Sequence, residues 1–381
     1  GVLATLDGRR LADGFYTLRL TGRDISGRTS VASAAVEVRT GADKLGRYQS
    51  THVDVSAQLG SVPFALTRAY DSLTGEWIFL GLDVAMETNA GTLPGVGGAL
   101  PGFEQGARLM LTLPTGERAG FTFRPVAETI GSVTFYRPVW VADSANGWTL
   151  QSVDRQLRKV GGAYFDVETG LAYNPASPVH GNRDYVLKGP DGTTYVIDSG
   201  NGTVEIRSAA GMLLVGDGGV TALGGAALQF LRDAAGRVVQ VTGPGGSATV
   251  YEYDDAGRLT AVRDLATGAG VRYGYVDGRL AIEIPSDGEG RRIRYAADGG
   301  VTTSVVRDDL GSAAAFTGKP FAGTLPVGGG SDSYAFTVRA SEIAGMESGA
   351  LILRVATTGD AIPEIAGLTA IASSASGGQR V

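Results

Sequence analysis

Residues 251–262 read YEYDDAGRLTAV, two short runs of alternating apolar and polar side chains joined by the sequence DDAG. Alternation with a period of two is typical of a β-strand that buries one face. Asp254 can accept a hydrogen bond from the backbone two residues further on, and Gly257 can adopt a positive φ without steric cost. The stretch therefore predicts a β-hairpin that turns at residues 254–257.

The same pattern recurs at regular spacing. Gly236-Arg237, Gly257-Arg258 and Gly278-Arg279 are 21 residues apart, and Gly299-Gly300 follows after another 21. A period of this length holds two strands and two turns. A leucine-rich repeat of similar period needs an L-x-x-L-x-L ladder, which these residues lack. The repeat therefore predicts an antiparallel meander in which each hairpin packs on its neighbours.

The unit at residues 251–259 resembles the YD repeat of the Rhs/YD-repeat family, whose motif reads roughly Y-x-Y-D-x-x-G-R-L. Its signature comprises Tyr251, Tyr253, Asp254, Gly257, Arg258 and Leu259, and the neighbouring units add Gly236, Arg237, Gly278, Arg279 and Gly299. The first unit has Phe230-Leu231-Arg232 in place of the tyrosines. The third is one residue short before its glycine, and the fourth has Gly300 where arginine is expected. The resemblance implies a structural role for all these residues.

Two upstream segments are similar to other parts of Rhs proteins. Residues 62–72 carry the pattern L-x-R-x-Y-x-S, which often opens these proteins, and residues 185–195 carry P-D-G-T-x-Y, which often precedes the repeats. The resemblance thus covers about residues 55 to 310. The family's autoproteolytic motif D-P-x-G is not matched, because residues 308–311 read DDLG. The resemblance therefore implies no cleavage activity.

Most other segments also alternate apolar and polar residues, which predicts strands, and helical periodicity is nearly confined to residues 341–346. We predict an all-β protein, an antiparallel YD-repeat β-hairpin meander or shell with flanking β-sandwich-like modules. Residues 1–40 resemble the C-terminal strands of an immunoglobulin-like β-domain, and residues 41–125 the β-region that opens Rhs proteins. Residues 126–313 form the YD-repeat sheet region, and residues 314–381 a C-terminal β-domain. Forty residues are too few for a whole sandwich, so the edge of 1–40 needs a partner strand.

The composition excludes several classes of function. The chain has 381 residues, a net charge of −6, no cysteine and two histidines, His52 and His180. A groove for nucleic acid needs a positive field, which this balance does not supply. Disulfides and thiolate metal sites are excluded, and the histidines are too far apart for a closely spaced zinc pair. The 59 glycines predict many tight turns. We expect no cofactor, no bound metal and no membrane span.

Candidate chemistry is sparse. A glycosidase site needs two carboxylates that face each other; the candidate pairs are Asp254 with Asp255, Asp308 with Asp309, and Asp166 with Glu168. Only the last pair would share a face of a strand. Residues 243–248 fit G-x-G-x-x-A, but a strand follows where a dinucleotide site requires a helix. Residues 198–203 and 286–290 depart from the calcium-loop pattern and read as turns.

Aromatic residues leave two interpretations open. They could form a platform on which sugars stack, or they could fill the packed face of the sheet and contact each other across strands. The residues concerned are Trp77, Trp140, Trp148, Tyr251, Tyr253, Tyr273, Tyr275 and Tyr295. Tyrosines two apart on a strand lie on one face, so each repeat could present a stripe of tyrosines. Of the two interpretations, packing within the sheet is favoured.

Together these features predict a secreted or cell-surface bacterial protein without enzymatic activity. Its role would be structural or adhesive, as a β-sheet shell, stalk or fibre. The expected partners are a second copy, joined into a filament by strand exchange through residues 1–40, or the rest of a longer chain. Two alternatives stay open: a surface module that binds polysaccharide, and a fragment of a toxin-encapsulating Rhs shell.

Overall fold

The computed structural model describes residues 3–39, 44–90, 102–177, 179, 181, 183–286, 290–307 and 333–334. The chain divides into two compact units, Gly1–Ala248 and Thr249–Val381. A short 3₁₀ turn lies at Gly8–Arg10, and almost all other elements of the described ranges are antiparallel strands. The prediction of an all-β hairpin meander is therefore confirmed. In the same ranges no helix is long and apolar enough to cross a membrane.

The first unit begins with a two-stranded ribbon and a three-stranded meander. The ribbon pairs β1 (Gly14–Arg23) with β2 (Thr29–Val38) over their full length. The meander joins β3 (Gln49–Leu59), β4 (Val62–Asp71) and β5 (Glu76–Phe79). Both are antiparallel, as expected for strands joined by short turns.

Two four-stranded sheets follow in the first unit. One has the order β11-β8-β7-β6 and the other the order β14-β13-β10-β9. Their strands are β6 (Met86–Thr88), β7 (Arg108–Thr112), β8 (Arg118–Phe123), β9 (Val126–Ile130), β10 (Val133–Arg137), β11 (Trp140–Ala142), β13 (Leu157–Val160) and β14 (Ala163–Asp166). The core here is largely aromatic. Phe123 is fully buried, and its ring lies 5.2 Å from that of Trp140 and 5.7 Å from that of Tyr164.

The first unit ends in a longer meander in which successive strands pair in sequence order. It comprises β12 (Thr149–Ser152), β15 (Tyr185–Lys188), β16 (Thr194–Asp198), β17 (Gly202–Ser208), β18 (Gly211–Gly216), β19 (Gly219–Ala222), β20 (Ala227–Arg232) and β21 (Val238–Thr242). From β15 onward short turns permit this order, because antiparallel neighbours need only a few connecting residues; β12 and β15 are separated in the sequence by β13 and β14.

The second unit continues with hairpins of the same kind. Its strands are β22 (Ala248–Tyr253), β23 (Leu259–Asp264), β24 (Gly270–Val276), β25 (Arg279–Pro285), β26 (Gly290–Tyr295), β27 (Val301–Arg307) and β28 (Ser333–Tyr334). Strands β22 to β27 pair antiparallel in sequence order, and β28 pairs parallel with β27.

Some predictions concern residues outside the described ranges. They include the helical segment at 341–346, the pair Asp308 and Asp309, and, apart from 333–334, the predicted β-domain at 314–381. The predicted boundaries after residues 40, 125 and 313 stay predictions.

Candidate functional site: the repeat turns and the tyrosine clasps

The turn at residues 254–258 is the smallest unit of the repeat. The Gly257 amide donates to the Asp254 carbonyl over 2.8 Å, and the Asp254 amide donates to the Arg258 carbonyl over 2.9 Å. Gly257 has a φ of +80°. This is a three-residue hairpin loop closed by a glycine in the left-handed region. The Asp254 carboxylate accepts bonds of 2.8 Å from both the backbone amide and Nε of Arg258. One aspartate therefore fixes the loop and orients the arginine.

Two other turns have the same construction. At residues 233–237 the carboxylate of Asp233 pairs with Arg237 over 2.7 Å, and at residues 24–28 that of Asp24 pairs with Arg28 over 2.7 Å. The hydrogen bond from the Arg237 side chain holds the pKa of Asp233 below its ordinary value. The turn at 24–28 lies in the β1–β2 ribbon, outside the predicted repeats. Its sequence, DISGR, carries the same D-x-x-G-R pattern and could have identified it.

The third unit replaces the three-residue loop by a two-residue one. Val276 pairs directly with Arg279, and the two residues between them, Asp277 and Gly278, have φ values of +50° and +77°. Positive φ at both positions is the signature of a type I′ turn, for which Asp-Gly is a preferred sequence. The residue missing before this glycine is thus explained by a change of turn type.

The fourth unit keeps the backbone of the loop without its ion pair. The Gly299 amide donates to the Ala296 carbonyl over 3.0 Å, and the Ala296 amide donates to the Gly300 carbonyl over 2.8 Å. Ala296 and Gly300 stand where the other loops have aspartate and arginine. The loop backbone therefore forms without the pair, and the pair is an addition to it.

A tyrosine of each later repeat contacts the Arg-Leu dipeptide of the repeat before it. The Tyr275 hydroxyl donates to the Leu259 carbonyl over 2.7 Å, and the guanidinium of Arg258 lies 5.1 Å from the centre of the Tyr275 ring. The Tyr295 hydroxyl donates to the Leu280 carbonyl over 2.9 Å. We call each such contact a tyrosine clasp. It joins two successive repeats through one hydrogen bond and one cation–π contact.

The second clasp is completed by Arg279, whose guanidinium lies 4.6 Å from the centre of the Tyr295 ring. In the first clasp, Arg258 also binds Asp254 of its own turn. This arginine therefore links the loop of one repeat to the strand of the next. In the sequence the clasps correspond to a recurring interval. Tyr275 follows Leu259 by 16 residues, and Tyr295 follows Leu280 by 15.

The remaining signature residues divide between the core and the clasps. Leu259, Leu280, Tyr251 and Tyr273 are buried. Of the side chains that make the clasps, Arg258, Tyr275 and Tyr295 are half-buried and Arg279 is exposed. The hydrophobic effect thus anchors one tyrosine and the leucine of a repeat. Tyr253 precedes its loop as Tyr275 does, and it is half-buried as well.

The segment with the pattern L-x-R-x-Y-x-S forms part of a buried layer in the first unit. Leu66, Arg68 and Tyr70 are buried, as the two-residue period of strand β4 requires, and so is Ser72 directly after the strand. Arg68 Nε lies 2.8 Å from a carboxylate oxygen of Asp54, and both side chains are 3% exposed. The Arg68 guanidinium also lies 4.5 Å from the centre of the Trp77 ring. A charge so deeply buried requires such a partner.

The second Rhs-like segment forms a turn of the repeat type. The Gly192 amide donates to the Gly189 carbonyl over 3.0 Å, and the Gly189 amide donates to the Thr193 carbonyl over 2.9 Å. The Asp191 carboxylate accepts bonds from the amide and hydroxyl of Thr193, which lower its pKa. The Tyr195 ring packs 6.2 Å from that of Trp148. The pattern is therefore a turn followed by a strand.

The structure corrects one detail of the candidate carboxylates. Asp166 is the last residue of β14, and its carboxylate accepts hydrogen bonds from the amides of Glu168 and Thr169. Glu168 lies in the turn that follows and pairs with Arg155. The expectation that Asp166 and Glu168 share one face of a strand was wrong, because the strand ends between them.

The other candidate loops are turns where the structure describes them. The Gly243 amide donates to the Ser247 carbonyl over 2.8 Å, and a strand follows. Asp198 accepts bonds from the amides of Gly200 and Asn201 over 2.8 and 2.7 Å. Within the described residues no group of three His, Cys, Asp or Glu side chains could hold a metal ion. His180 and residues 287–289 of the other loop lie outside the described ranges.

The tryptophans are packed against other side chains. Trp140 is buried in the core and donates its indole N–H to Ser152 over 3.0 Å. Trp77 contacts the Arg68 guanidinium, and its ring lies 5.3 Å from that of Tyr70. These contacts favour packing over sugar stacking for both residues.

Comparison with known proteins agrees with this geometry. Residues 232–269 match the family model for the RHS Repeat. The matched segment contains both complete D-x-x-G-R turns that sequence analysis placed in the repeat, at 233–237 and 254–258. A search of curated proteins found no match. The predicted resemblance to the Rhs/YD-repeat family is confirmed for this segment.

Proposed function

We propose that this protein is a secreted or cell-surface structural protein without enzymatic activity, whose repeats form the wall of a shell, stalk or fibre. The observation that carries the proposal is the tyrosine clasp. The same contact occurs twice in succession, at Tyr275 and at Tyr295, and each time it joins a repeat to its predecessor. Contacts between neighbours that repeat in this way are what a quasi-one-dimensional array needs.

Three carboxylates that the structure describes support the same proposal. Asp254 binds its own loop and Arg258, Asp166 binds turn amides, and Asp54 neutralises buried Arg68. Each of these carboxylates is occupied by a contact that holds the backbone or another side chain. A catalytic carboxylate would instead need a face open to substrate.

The occupied aromatic faces argue against a polysaccharide-binding role. The rings of Tyr275 and Tyr295 carry Arg258 and Arg279 on one face, and Tyr251 and Tyr273 are buried. A sugar that stacked on either clasp tyrosine from this side would have to displace an arginine. Binding of soluble polysaccharides, measured by tryptophan fluorescence, would contradict a purely structural role.

Surface shaving of intact source cells tests the location. Trypsin is added to whole cells, and the protein is followed with an antibody raised against residues 1–381. Loss of the signal before lysis, with a cytosolic marker intact, is the expected result. Protection until lysis would refute a cell-surface role, provided that the culture medium also lacks the protein.

Immunogold labelling of the native material in negative-stain electron microscopy tests the structural role. Label along a regular fibre or stalk, or on closed particles, is the expected result. Closed particles around a passenger would identify the toxin-encapsulating form of the shell. Label on dispersed particles with no assembled form would contradict the proposal.

A further inference from the structure

Arg292, on strand β26, is half-buried and differs from the other arginines of that kind in having no ion pair among the described residues. Seven other arginines of the described ranges are buried or half-buried, and each lies 3.6 Å or less from an aspartate or glutamate oxygen. These pairs are Arg47 with Asp71, Arg68 with Asp54, Arg108 with Glu37, Arg118 with Glu87, Arg155 with Asp166, Arg237 with Asp233 and Arg258 with Asp254. A charge that is partly removed from water ordinarily has such a partner, so the guanidinium of Arg292 needs an explanation.

The residues directly beside Arg292 in the sheet are uncharged. Ile282 of β25 pairs with it on one side, and Ser304 of β27 pairs with it on the other. Ile282 is buried, and Ser304 is exposed. Partial burial lowers the pKa of the Arg292 guanidinium below its ordinary value, and the positive charge of Arg294 lowers it further. An anion at Arg292 would offset both effects, because an opposite charge favours the charged form of the guanidinium.

Arg292 belongs to a line of arginines that crosses one face of the sheet of the second unit diagonally, here called the arginine track. The track comprises Arg263 on β23, Arg272 on β24, and Arg292 and Arg294 on β26. The register of β23 to β26 places each of them two residues further along the strands than the one before it, so all four lie on one face. Strands about 4.8 Å apart and a rise of about 6.8 Å per two residues make the track about 25 Å long, with successive arginines about 7–12 Å apart.

The face that carries the arginine track is positive and has no ring on which a ligand could stack. Among the described strand residues of this face, Glu252 is the one acidic side chain, and it lies 3.7 Å from Arg263 at the end of the track. Arg272 and Arg294 are exposed. The same described strand residues include no aromatic side chain, because the tyrosines of these repeats lie on the other face. A positive surface on a chain with a net charge of −6 favours an acidic partner.

We propose that the arginine track binds an extended acidic segment of a partner protein, with one carboxylate of that segment at Arg292. A guanidinium binds a carboxylate through two parallel hydrogen bonds. In an extended peptide, acidic residues at alternate positions lie on one side about 6.8 Å apart, which matches the spacing of Arg292 and Arg294. Single-stranded nucleic acid is disfavoured, because its bases stack on aromatic rings that this face lacks among the described strand residues. The site does not depend on the structural role proposed above.

Fluorescence anisotropy of a labelled peptide with the full chain tests the binding. A peptide of about eight residues spans the track when extended, and in the probe serine and glutamate alternate. Arg292→Gln is expected to weaken binding at least tenfold, because it removes a charge-assisted pair. Arg291→Gln is the matched control, since it removes the same charge from the next residue, on the other face of β26, and it should change binding less than about threefold. No binding of the peptide, or equal effects of the two substitutions, overturns the proposal.

Competition with other anions tests the kind of partner. An oligogalacturonate and an oligothymidylate, each with as many charges as the peptide, compete for the chain with the labelled peptide. Each is expected to displace the peptide at least tenfold less well than the unlabelled peptide does. If either displaces it equally well or better, the assignment to an acidic protein segment is wrong.

Amide hydrogen exchange distinguishes a binding role of Arg292 from a role in the fold. Arg292→Met keeps the apolar stem and removes only the charge, so exchange in peptides that cover β26 should stay within about twofold of the unsubstituted chain. Arg258→Met is the contrast, because Arg258 is also half-buried but pairs with Asp254 over 2.7 Å; it should accelerate exchange around its loop. Faster exchange in β26 by more than about twofold in Arg292→Met would assign this arginine to the fold and overturn the proposal.

Discussion

Removal of the Tyr275 hydroxyl should destabilise the second unit locally by the free energy of one hydrogen bond of the clasp. Tyr275→Phe keeps the ring beneath Arg258 and deletes only the 2.7 Å bond to the Leu259 carbonyl. A hydrogen bond contributes a net 0.5–1.5 kcal/mol to stability on average. Tyr275 is half-buried, so water can reach the freed carbonyl and the cost is expected to be about 1 kcal/mol.

Removal of the ring as well should cost more. Tyr275→Ala also deletes the contact with Arg258, which at a partly exposed site is worth about 0.5–1 kcal/mol. It further exposes apolar surface that the ring covers. We expect a loss of about 3 kcal/mol for this variant, so the two substitutions separate the hydrogen bond from the rest of the clasp.

Amide hydrogen exchange read by mass spectrometry is the suitable assay, because a chain with two compact units need not unfold in one step. A loss of 1 kcal/mol corresponds to about fivefold faster exchange by local opening. The increase should appear in peptides that cover β23 and β24. Tyr136→Phe is a matched control in the first unit, where Tyr136 packs edge-on against Tyr164; it should leave those peptides unchanged. Exchange altered less than about twofold by Tyr275→Phe would refute the argument that the clasp joins the repeats.

Three further variants test the other contacts by the same exchange method or by urea unfolding. Gly257→Ala should destabilise its hairpin by about 1–2 kcal/mol, because φ is +80° at this position; no loss would contradict the loop assignment. The double substitution Ala296→Asp and Gly300→Arg introduces the ion pair into a loop whose backbone already matches, and should stabilise the loop by about 0.5–1 kcal/mol. A loss of stability would show that the backbone of this loop alone does not place the two side chains for an ion pair. Asp54→Asn removes the carboxylate that pairs with buried Arg68 and should cost about 3–5 kcal/mol, whereas a loss below about 1 kcal/mol would mean that the ion pair contributes little to stability.

The hairpins were predictable from the sequence because their determinants are local. Within residues 254–258 the aspartate, the glycine and the arginine that build the loop lie within five positions of each other. Neither propensity nor spacing indicates contacts that depend on how strands come together. Arg68 meets Asp54 across a strand pair, 14 residues away, and Arg108 meets Glu37 over a separation of 71 residues. Such pairs need the register of the sheet, which a single sequence does not supply.

The third repeat shows which feature of the motif the fold maintains. Its loop is one residue shorter than that of the second repeat, and a change of loop length ordinarily shifts the register of a hairpin. In both hairpins the register shifts once, between Glu252 and Tyr253 and between Gly274 and Tyr275. Tyr253 then pairs with Leu259, and Tyr275 pairs with Leu280.

Two loops of different length therefore deliver the same pair, a tyrosine opposite the leucine that follows Gly-Arg. That pair places the leucine carbonyl, Leu259 in one repeat and Leu280 in the next, where the following tyrosine binds it. The length of the loop is free to vary as long as the tyrosine and the leucine stay opposite each other. An insertion within a loop should consequently be tolerated, whereas an insertion between Tyr275 and the loop should break the clasp to Leu259, the following clasp, or both.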